Sequence, residues 1–244
     1  EIIRDNAVYG DYRTAILLVE IMGRHAGWLT AAAALAKDDS CEGVDAIYLP
    51  ERDFNLDEFL RKVKELAERK KSIVIAVSEG IRLGNGRFVC ELDGAGSEKT
   101  DVFGHKQLSG CGTFLAGLIQ EKTEYKARAV EFSTLQRAAS HIASLTDIEE
   151  AFRAGEAAVE AAMEGNTGMM VTLLRAKGES YRCLTGLYDI HAIANLERKV
   201  PTEWITEDGC GVTEEYEAYA RPLIQGELFP IYENGTPKHL VRKK

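Results

Sequence analysis

The chain has 244 residues, of which 45% are apolar and 28% are charged, a composition typical of a soluble globular protein with one large or two smaller domains. The net charge of −9 argues against nucleic acid or an anionic membrane surface as a partner, because such surfaces repel an acidic protein. No apolar run approaches the ~20 residues that a membrane-spanning helix needs.

The first third of the chain alternates between strand and helix patterns. Residues 15–22 form a nearly continuous apolar run, which predicts a strand buried on both faces, and Gly23 ends it. An Ala-rich helix is predicted over 26–37 and a second strand over 45–50. Asn55 is a predicted N-cap, with Glu58 at capping-box spacing.

The pattern continues through the rest of the chain. A helix with an apolar stripe follows Asn55, and residues 72–77 are a third strand, so 45–77 form a βαβ unit with a right-handed crossover. The fold class is therefore α/β, with a parallel, Rossmann-like sheet covered by helices. Later predicted elements are a loop or hairpin over 82–97, a helix over 110–122, a strand over 127–132, a helix from a Thr146–Glu149 capping box to Gly165, strands over 169–174 and 181–187, a short helix over 189–197 and a polar tail.

Cysteine and histidine spacing indicates no metal site. The five cysteines are scattered and contain no C-x-x-C pair, which predicts reduced thiols and a cytoplasmic location. The histidines other than His25 share no metal-ligand spacing. The chain starts at Glu1 without Met or a signal segment, so we expect it to be part of a longer protein.

Polar residues follow three of the predicted strands, where ligands bind in open parallel sheets. Met22-Gly23-Arg24 offers exposed backbone amides and a guanidinium for an anion, and Glu79 of Ser78-Glu79-Gly80 offers a carboxylate for hydroxyl groups. Arg128 and Arg137 flank the strand at 127–132. Each set alone fits ordinary surface residues better than a site, but together they suit a phosphorylated polyol.

These same segments resemble the phosphofructokinase family. VEIMGRHAGWL (residues 19–29) is similar to the family's V-E-x-M-G-R-x-x-G-x-L, whose Met-Gly-Arg binds fructose 6-phosphate, and Ser78-Glu79-Gly80 matches its T/S-E-G, whose Glu binds sugar hydroxyls. The resemblance implies that Arg128 and Arg137 surround the sugar 6-phosphate, with Arg128 reaching across from a neighbouring subunit. The implied substrate-binding residues are Met22, Gly23, Arg24, Glu79, Arg128, Thr134, Leu135, Gln136 and Arg137.

Two departures separate the chain from the bacterial ATP-dependent members. Those members have His-Ile-Gln-Arg-Gly-Gly where this chain has Thr134-Leu135-Gln136-Arg137-Ala138-Ala139. They also have an Arg where this chain has Ala15, and Arg13 is the candidate to replace that Arg. The Leu-Gln-Arg version, with the segments at 101–112, 140–160 and 219–227, is similar to the pyrophosphate-dependent branch.

The resemblance implies transfer of a phosphoryl group from pyrophosphate to the 1-hydroxyl of fructose 6-phosphate, giving fructose 1,6-bisphosphate. The alternatives are an ATP-dependent enzyme and a sugar-phosphate-binding fragment without turnover. The family's catalytic Asp and its Mg²⁺ ligands fall before residue 1, so Mg²⁺ is an implied cofactor, this chain holds no predicted catalytic residue, and we expect it to be inactive alone. A cytoplasmic homo-oligomer, a dimer or tetramer, is implied.

Two segments are predicted. Residues 1–137 are the fructose 6-phosphate-binding domain, and residues 138–244 are a segment that in the family helps to complete the phosphoryl-donor domain. The second segment is therefore expected to expose apolar surface, to oligomerise or to be locally disordered.

Overall fold

The computed structural model of the chain describes residues 1–10, 12–92, 110–178 and 180–238. The chain divides into two compact units, the first formed by Glu1–Arg137 with Glu197–Tyr219 and the second by Ala138–Leu196 with Ala220–Lys244. The first unit thus includes residues 197–219, which the sequence-based division placed with the second segment. Most of the segment at 101–112 lies outside the described residues.

The first unit is built on a parallel sheet of four strands among the described residues. In spatial order these are β2 (Ala46–Tyr48), β4 (Ser72–Ser78), β1 (Ala15–Ile21) and β6 (Lys126–Glu131). All seven residues of β1 are buried, which confirms the prediction of a strand covered on both faces. Alternating polar positions mark β6 as the sheet edge beside β1. A separate short parallel pair is formed by β3 (Asp53–Phe54) and β5 (Arg82–Leu83).

Helices α3 (Leu56–Arg69) and α4 (Cys111–Lys122) pack on one face of this sheet. The Asn55 side chain accepts hydrogen bonds from the backbone N–H groups of Asp57 and Glu58 at 2.9 and 3.1 Å, so the predicted N-cap is confirmed. The other face is covered by α1 (Ile2–Gly10) and α2 (Trp28–Ala31). Buried side chains of the core include Ile16, Leu18, Phe59, Val63, Ile73, Ile75, Leu115 and Ile119.

Two helix predictions were wrong in detail. The helix predicted over 26–37 is α2 followed by a 3₁₀ segment, Ala32–Ala36. The N-cap of the long helix α6 (Leu145–Met163) is Ser144, whose hydroxyl accepts from the Asp147 N–H at 3.1 Å. Thr146 lies inside the helix, and its hydroxyl donates to the carbonyl of Gln225 at 3.1 Å.

The second unit combines α6 with the antiparallel hairpin of β7 (Met169–Arg175) and β8 (Cys183–Asp189). A two-stranded sheet and one helix bury little apolar surface. Large apolar side chains of this unit are accordingly exposed, so the expectation of exposed apolar surface is confirmed; they include Ile142, Phe152, Val159, Met163, Leu184 and Phe229. The other α-helices and strands of the described residues are α5 (Ser133–Arg137), α7 (Ile190–Ile193), α8 (Glu214–Ala220), β9 (Tyr232–Glu233) and β10 (Thr236–Pro237).

Candidate sugar-phosphate site

The candidate site lies at the carboxyl ends of three neighbouring strands of the first unit. Because β1 lies between β4 and β6, the loop that begins at Met22 is flanked by the end of β4 at Glu79 and by α5 after β6. The sheet order therefore brings together the three strand ends that the sequence singled out separately.

Gly23 is tied to the end of β4. Its N–H donates to Oε1 of Glu79 at 3.2 Å, and its carbonyl accepts from the Ser78 hydroxyl. The Glu79 N–H in turn donates to the carbonyl of Ile21 at 3.0 Å. A Cβ at Gly23 would lie 2.8 Å from the Ala26 carbonyl oxygen, so this tight turn requires glycine.

Gly80 allows the backbone of Arg24 to pass against β4. A Cβ placed on Gly80 would lie 1.9 Å from the Arg24 carbonyl oxygen and 2.6 Å from its Cα. Since a side chain there would overlap the backbone, the position of Arg24 depends on glycine at residue 80. The Ser-Glu-Gly segment thus shapes the loop as well as contributing its carboxylate.

Gln136 anchors α5 to the end of β1. Its Oε1 accepts from the Met22 N–H at 3.0 Å, and the Phe132 N–H donates to the carbonyl of Glu20 at 3.0 Å. The other predicted residues of this short helix, Thr134, Leu135 and Arg137, have exposed side chains. Gln136 therefore holds the helix in place while its neighbours remain accessible to a ligand.

Arg128 is not brought together with these residues in the chain. Its guanidinium lies 4.2 Å from the centre of the Tyr9 ring and 3.4 Å from Oδ1 of Asn6, both on α1. Arg128 is paired with Leu17, near the amino end of β1, whereas Met22 follows its carboxyl end. Of the predicted site residues, it alone lies at this other end of the sheet.

Two carboxyl groups near the site have raised pKa values. Burial raises the pKa of Glu79, against the opposing effects of the Gly23 N–H and the Arg24 charge. Burial likewise raises the pKa of Glu20 to about 7, although the Gly112 N–H donates to it at 2.7 Å and lowers it. Glu131 and Glu79 add a smaller repulsive contribution. Both carboxyl groups therefore retain a proton to higher pH than an exposed glutamate does.

Sequence reasoning missed Glu20 and Glu51. Glu20 is 4% exposed in the middle of an apolar run, and a carboxylate in such a run is itself a signal of a special environment. Glu51 follows the strand at 45–50, so the same strand-end argument applied to β2 would have found it. Its Oε1 accepts from the Gly27 N–H at 2.8 Å, on the loop that carries Arg24.

An apolar cavity of about 410 Å³ lies on the opposite face of β1 from α4. Its walls include Val19, Ile21, Val74 and Ala76 of the sheet and Leu29 of α2. A phosphorylated polyol needs more polar partners than this lining offers. The strand-end site, with Arg24 and Glu79, suits such a ligand better.

Within residues 1–10, 12–92, 110–178 and 180–238, no three His, Cys, Asp or Glu side chains are grouped so as to hold a metal ion. The described residues thus form no three-ligand protein site for Mg²⁺. No helix in the same ranges has the length and apolarity to cross a membrane. Cys41, Cys111, Cys183 and Cys210 form no disulfide.

Comparison with known proteins agrees with this geometry. The phosphofructokinase family model matches residues 6–162, and the chain belongs to the phosphofructokinase family. It is 42% identical over 228 residues to the pyrophosphate–fructose 6-phosphate 1-phosphotransferase of Methylococcus capsulatus, covering 93% of this chain and 53% of that protein. The predicted likeness to the pyrophosphate-dependent branch is confirmed.

Two further comparisons bear on the fold and on the phosphoryl donor. The crystal structure of a pyrophosphate-dependent phosphofructokinase from Nitrosospira multiformis matches with a TM-score of 0.83 and 33% identity, over 100% of this chain and 58% of that one. ATP-dependent 6-phosphofructokinase 2 of Streptomyces coelicolor is 35% identical over 159 residues, covering 65% of this chain and 43% of that protein. The chain thus spans about half the length of these curated relatives.

Proposed function

We propose that this chain binds fructose 6-phosphate at the ends of β4, β1 and β6, as part of a protein that transfers a phosphoryl group from pyrophosphate to the sugar's 1-hydroxyl. The observation that carries the proposal is the Gly23–Glu79 hydrogen bond beside Arg24. This bond joins the loop that carries Arg24 to the end of β4. One guanidinium, one carboxylate and the backbone of a glycine turn therefore lie together at the carboxyl ends of the strands, and a phosphorylated polyol requires this set of groups.

Each residue then has a distinct role. The Glu79 carboxylate accepts hydrogen bonds from sugar hydroxyls, and Arg24 supplies positive charge to the end of the sugar that receives the phosphoryl group. Met22 and Gly23 shape the wall of the site. Thr134 and Arg137 on the exposed face of α5 bind the 6-phosphate, with Leu135 beside them and Gln136 fixing the helix.

Arg128 acts, in this proposal, on a different copy of the chain. Its guanidinium rests on Tyr9, at the end of β6 away from Arg137, so it does not serve the site formed by its own chain. Its exposed position on an edge strand leaves it available to a neighbouring subunit. We therefore propose a homo-oligomer, a dimer or tetramer, in the cytoplasm.

Pyrophosphate is the proposed donor because the relatives at about 40% identity carry the name of the pyrophosphate enzyme. An ATP-dependent enzyme is the second candidate, favoured by the Streptomyces coelicolor relative. A binding module without turnover is the third, favoured because the chain spans about half the length of those relatives. Mg²⁺ is the cofactor proposed for the whole protein.

Two assays test the proposal. Calorimetric titration should show binding of fructose 6-phosphate and none of fructose at the same concentration, because Thr134 and Arg137 recognise the 6-phosphate. Formation of fructose 1,6-bisphosphate is then measured with Mg²⁺ and either pyrophosphate or ATP. Binding without turnover supports the interpretation that this chain alone is a binding module. Turnover with ATP overturns the proposed donor. Equal affinity for fructose overturns the proposed substrate.

A further inference from the structure

Residues 197–219, here called the strap, lie against the loop that carries the site residues. The chain reaches this segment only after the 59 residues of the second unit, Ala138–Leu196. Within the first unit, the strap contacts residues 25–28, immediately after Arg24, at several points. A part of the chain remote in sequence therefore completes the surroundings of the sugar-phosphate loop.

Glu51 is the centre of this contact. Its Oε1 accepts from the N–H of Gly27 on the loop at 2.8 Å and from the N–H of Val200 on the strap at 2.9 Å. A Cβ on Gly27 would lie 2.8 Å from the other carboxylate oxygen, so the loop backbone is pressed against Glu51. One carboxylate thus joins loop and strap through charge-assisted hydrogen bonds, which are stronger than neutral ones.

Four contacts surround this joint. Nδ1 of His25 lies 2.5 Å from Oε1 of Glu197, and the Trp28 indole N–H donates to the carbonyl of Arg198 at 2.7 Å. The Tyr216 hydroxyl donates to the Trp28 carbonyl at 2.6 Å. The ring centres of Trp28 and Trp204 are 6.1 Å apart, in an edge-to-face arrangement that adds to the contact.

Arg24 is therefore held from both sides. Gly23 before it is bonded to Glu79, and His25 after it is bonded to Glu197. The Oε2 atom of Glu51 is buried and has no hydrogen-bond partner in the described ranges, which costs free energy. The Oε1 atom of the same side chain joins the loop to the strap. This connection explains a carboxylate at position 51 better than stability alone does.

We propose that the strap positions Arg24 for the sugar phosphate and that Glu51 is the positioning residue that ties the strap to the loop. The inference rests on the proposed function. It adds that binding of the sugar phosphate depends on residues 197–219 and on a side chain that does not itself touch the ligand.

The test compares Glu51→Ala with Glu51→Gln, which keeps an oxygen for both N–H donors, and with Glu203→Ala, a control that removes an exposed carboxylate from the strap. Hydrogen exchange of the Gly27 and Val200 amides reports the joint. Tryptophan emission reports it independently, because the chain's two tryptophans, Trp28 and Trp204, both lie there. Fructose 6-phosphate affinity is measured by calorimetry.

Glu51→Ala should speed exchange at both amides, shift the emission to the red and weaken fructose 6-phosphate binding by at least about tenfold, since hydrogen bonds to a charged group are lost. Glu51→Gln should stay within about threefold of the wild-type affinity, because its amide oxygen still accepts both N–H groups. The control should match the wild type.

Unchanged affinity in Glu51→Ala, with or without faster exchange, would overturn the inference. Should that variant not fold, Glu197→Ala carries the same test, because Glu197 is 49% exposed and its loss frees only the His25 contact. A wild-type chain that does not bind fructose 6-phosphate would overturn the proposed function, whereas equal binding by the wild type and Glu51→Ala overturns the positioning role alone.

Discussion

The backbone N–H of Gly23 donates to Oε1 of Glu79 at 3.2 Å, and this bond joins the ends of two neighbouring parallel strands. The same carboxylate has a raised pKa because it is buried, while the Arg24 charge opposes that shift. Glu79 therefore both fixes the loop after β1 and presents a polar oxygen at the sheet edge. Its removal should affect the loop and the ligand together.

Glu79→Ala should weaken fructose 6-phosphate binding by about tenfold to a hundredfold, because the ligand loses an acceptor and Gly23 loses its partner. Calorimetry measures the affinity. Glu68→Ala is the matched control, since Glu68 is an exposed carboxylate on α3. An affinity for Glu79→Ala within about twofold of the wild type would contradict the role given to this residue.

Gly80→Ala should lower the free energy of unfolding by about 3 kcal/mol, because its Cβ would overlap the Arg24 backbone. Gly117→Ala is the control. It adds a methyl group in open space within α4 and should raise stability by about 1 kcal/mol, since alanine favours helix. Urea unfolding followed by tryptophan fluorescence gives both values, and equal stability of the two variants would contradict the close approach.

Glu20 should make stability fall as the pH rises. Its pKa is raised from 4.5 to about 7 in the folded protein, so the folded state holds a proton that the unfolded state releases between those values. The stabilisation that comes from protonated Glu20 is lost between pH 4.5 and about pH 7, and it is absent at higher pH. Glu20→Gln should remove this slope and gain up to about 3 kcal/mol at pH 8, while keeping an acceptor for Gly112.

The measurement for Glu20 is urea unfolding at several pH values between 4.5 and 8. Glu68→Gln, which changes an exposed carboxylate, should leave the pH slope as it is in the wild type. A wild-type stability that rises steadily with pH, together with an unchanged slope in Glu20→Gln, would show that Glu20 is not protonated in the folded state.

Gln136→Ala should weaken fructose 6-phosphate binding by about fivefold to tenfold, because the Met22 N–H loses its acceptor and α5 loses its anchor. Gln120→Ala is the matched control, since Gln120 donates to the Ala127 carbonyl at 2.8 Å on another part of the sheet. Both variants should lose similar stability in urea, but only the first should lose affinity. Equal affinities would place the anchoring role of Gln136 in doubt.

Much of the first unit was predictable because its signals are local. The apolar run of β1 and the Asn55 cap depend on neighbouring residues, and both predictions were confirmed. The three strand ends were predictable as well, since parallel strands present their carboxyl ends at one edge. Their bonding pattern was not, because Gln136 reaches Met22 across 114 positions of sequence.

The predictions that were wrong depended on distant contacts. Ser144 and Thr146 both offer a hydroxyl to α6, and both hydroxyls also donate to carbonyls of residues 223–225, so the local pattern alone does not identify the N-cap. The alanine run at 31–36 has no apolar stripe to distinguish an α-helix from a 3₁₀ segment. The strap at 197–219 shows no periodic pattern, and its position is fixed by Glu51 and Trp28, about 150 or more residues earlier.

The most direct test of the account is a calorimetric titration of fructose 6-phosphate into the wild-type chain and into the Arg24→Ala variant. The account predicts saturable binding by the wild type and a loss of at least about tenfold in affinity when the guanidinium is removed, because a charge-assisted contact to the acceptor end of the sugar is lost. Equal affinity of the two proteins, or no binding by the wild type, would contradict the assignment of this sheet edge as a sugar-phosphate site.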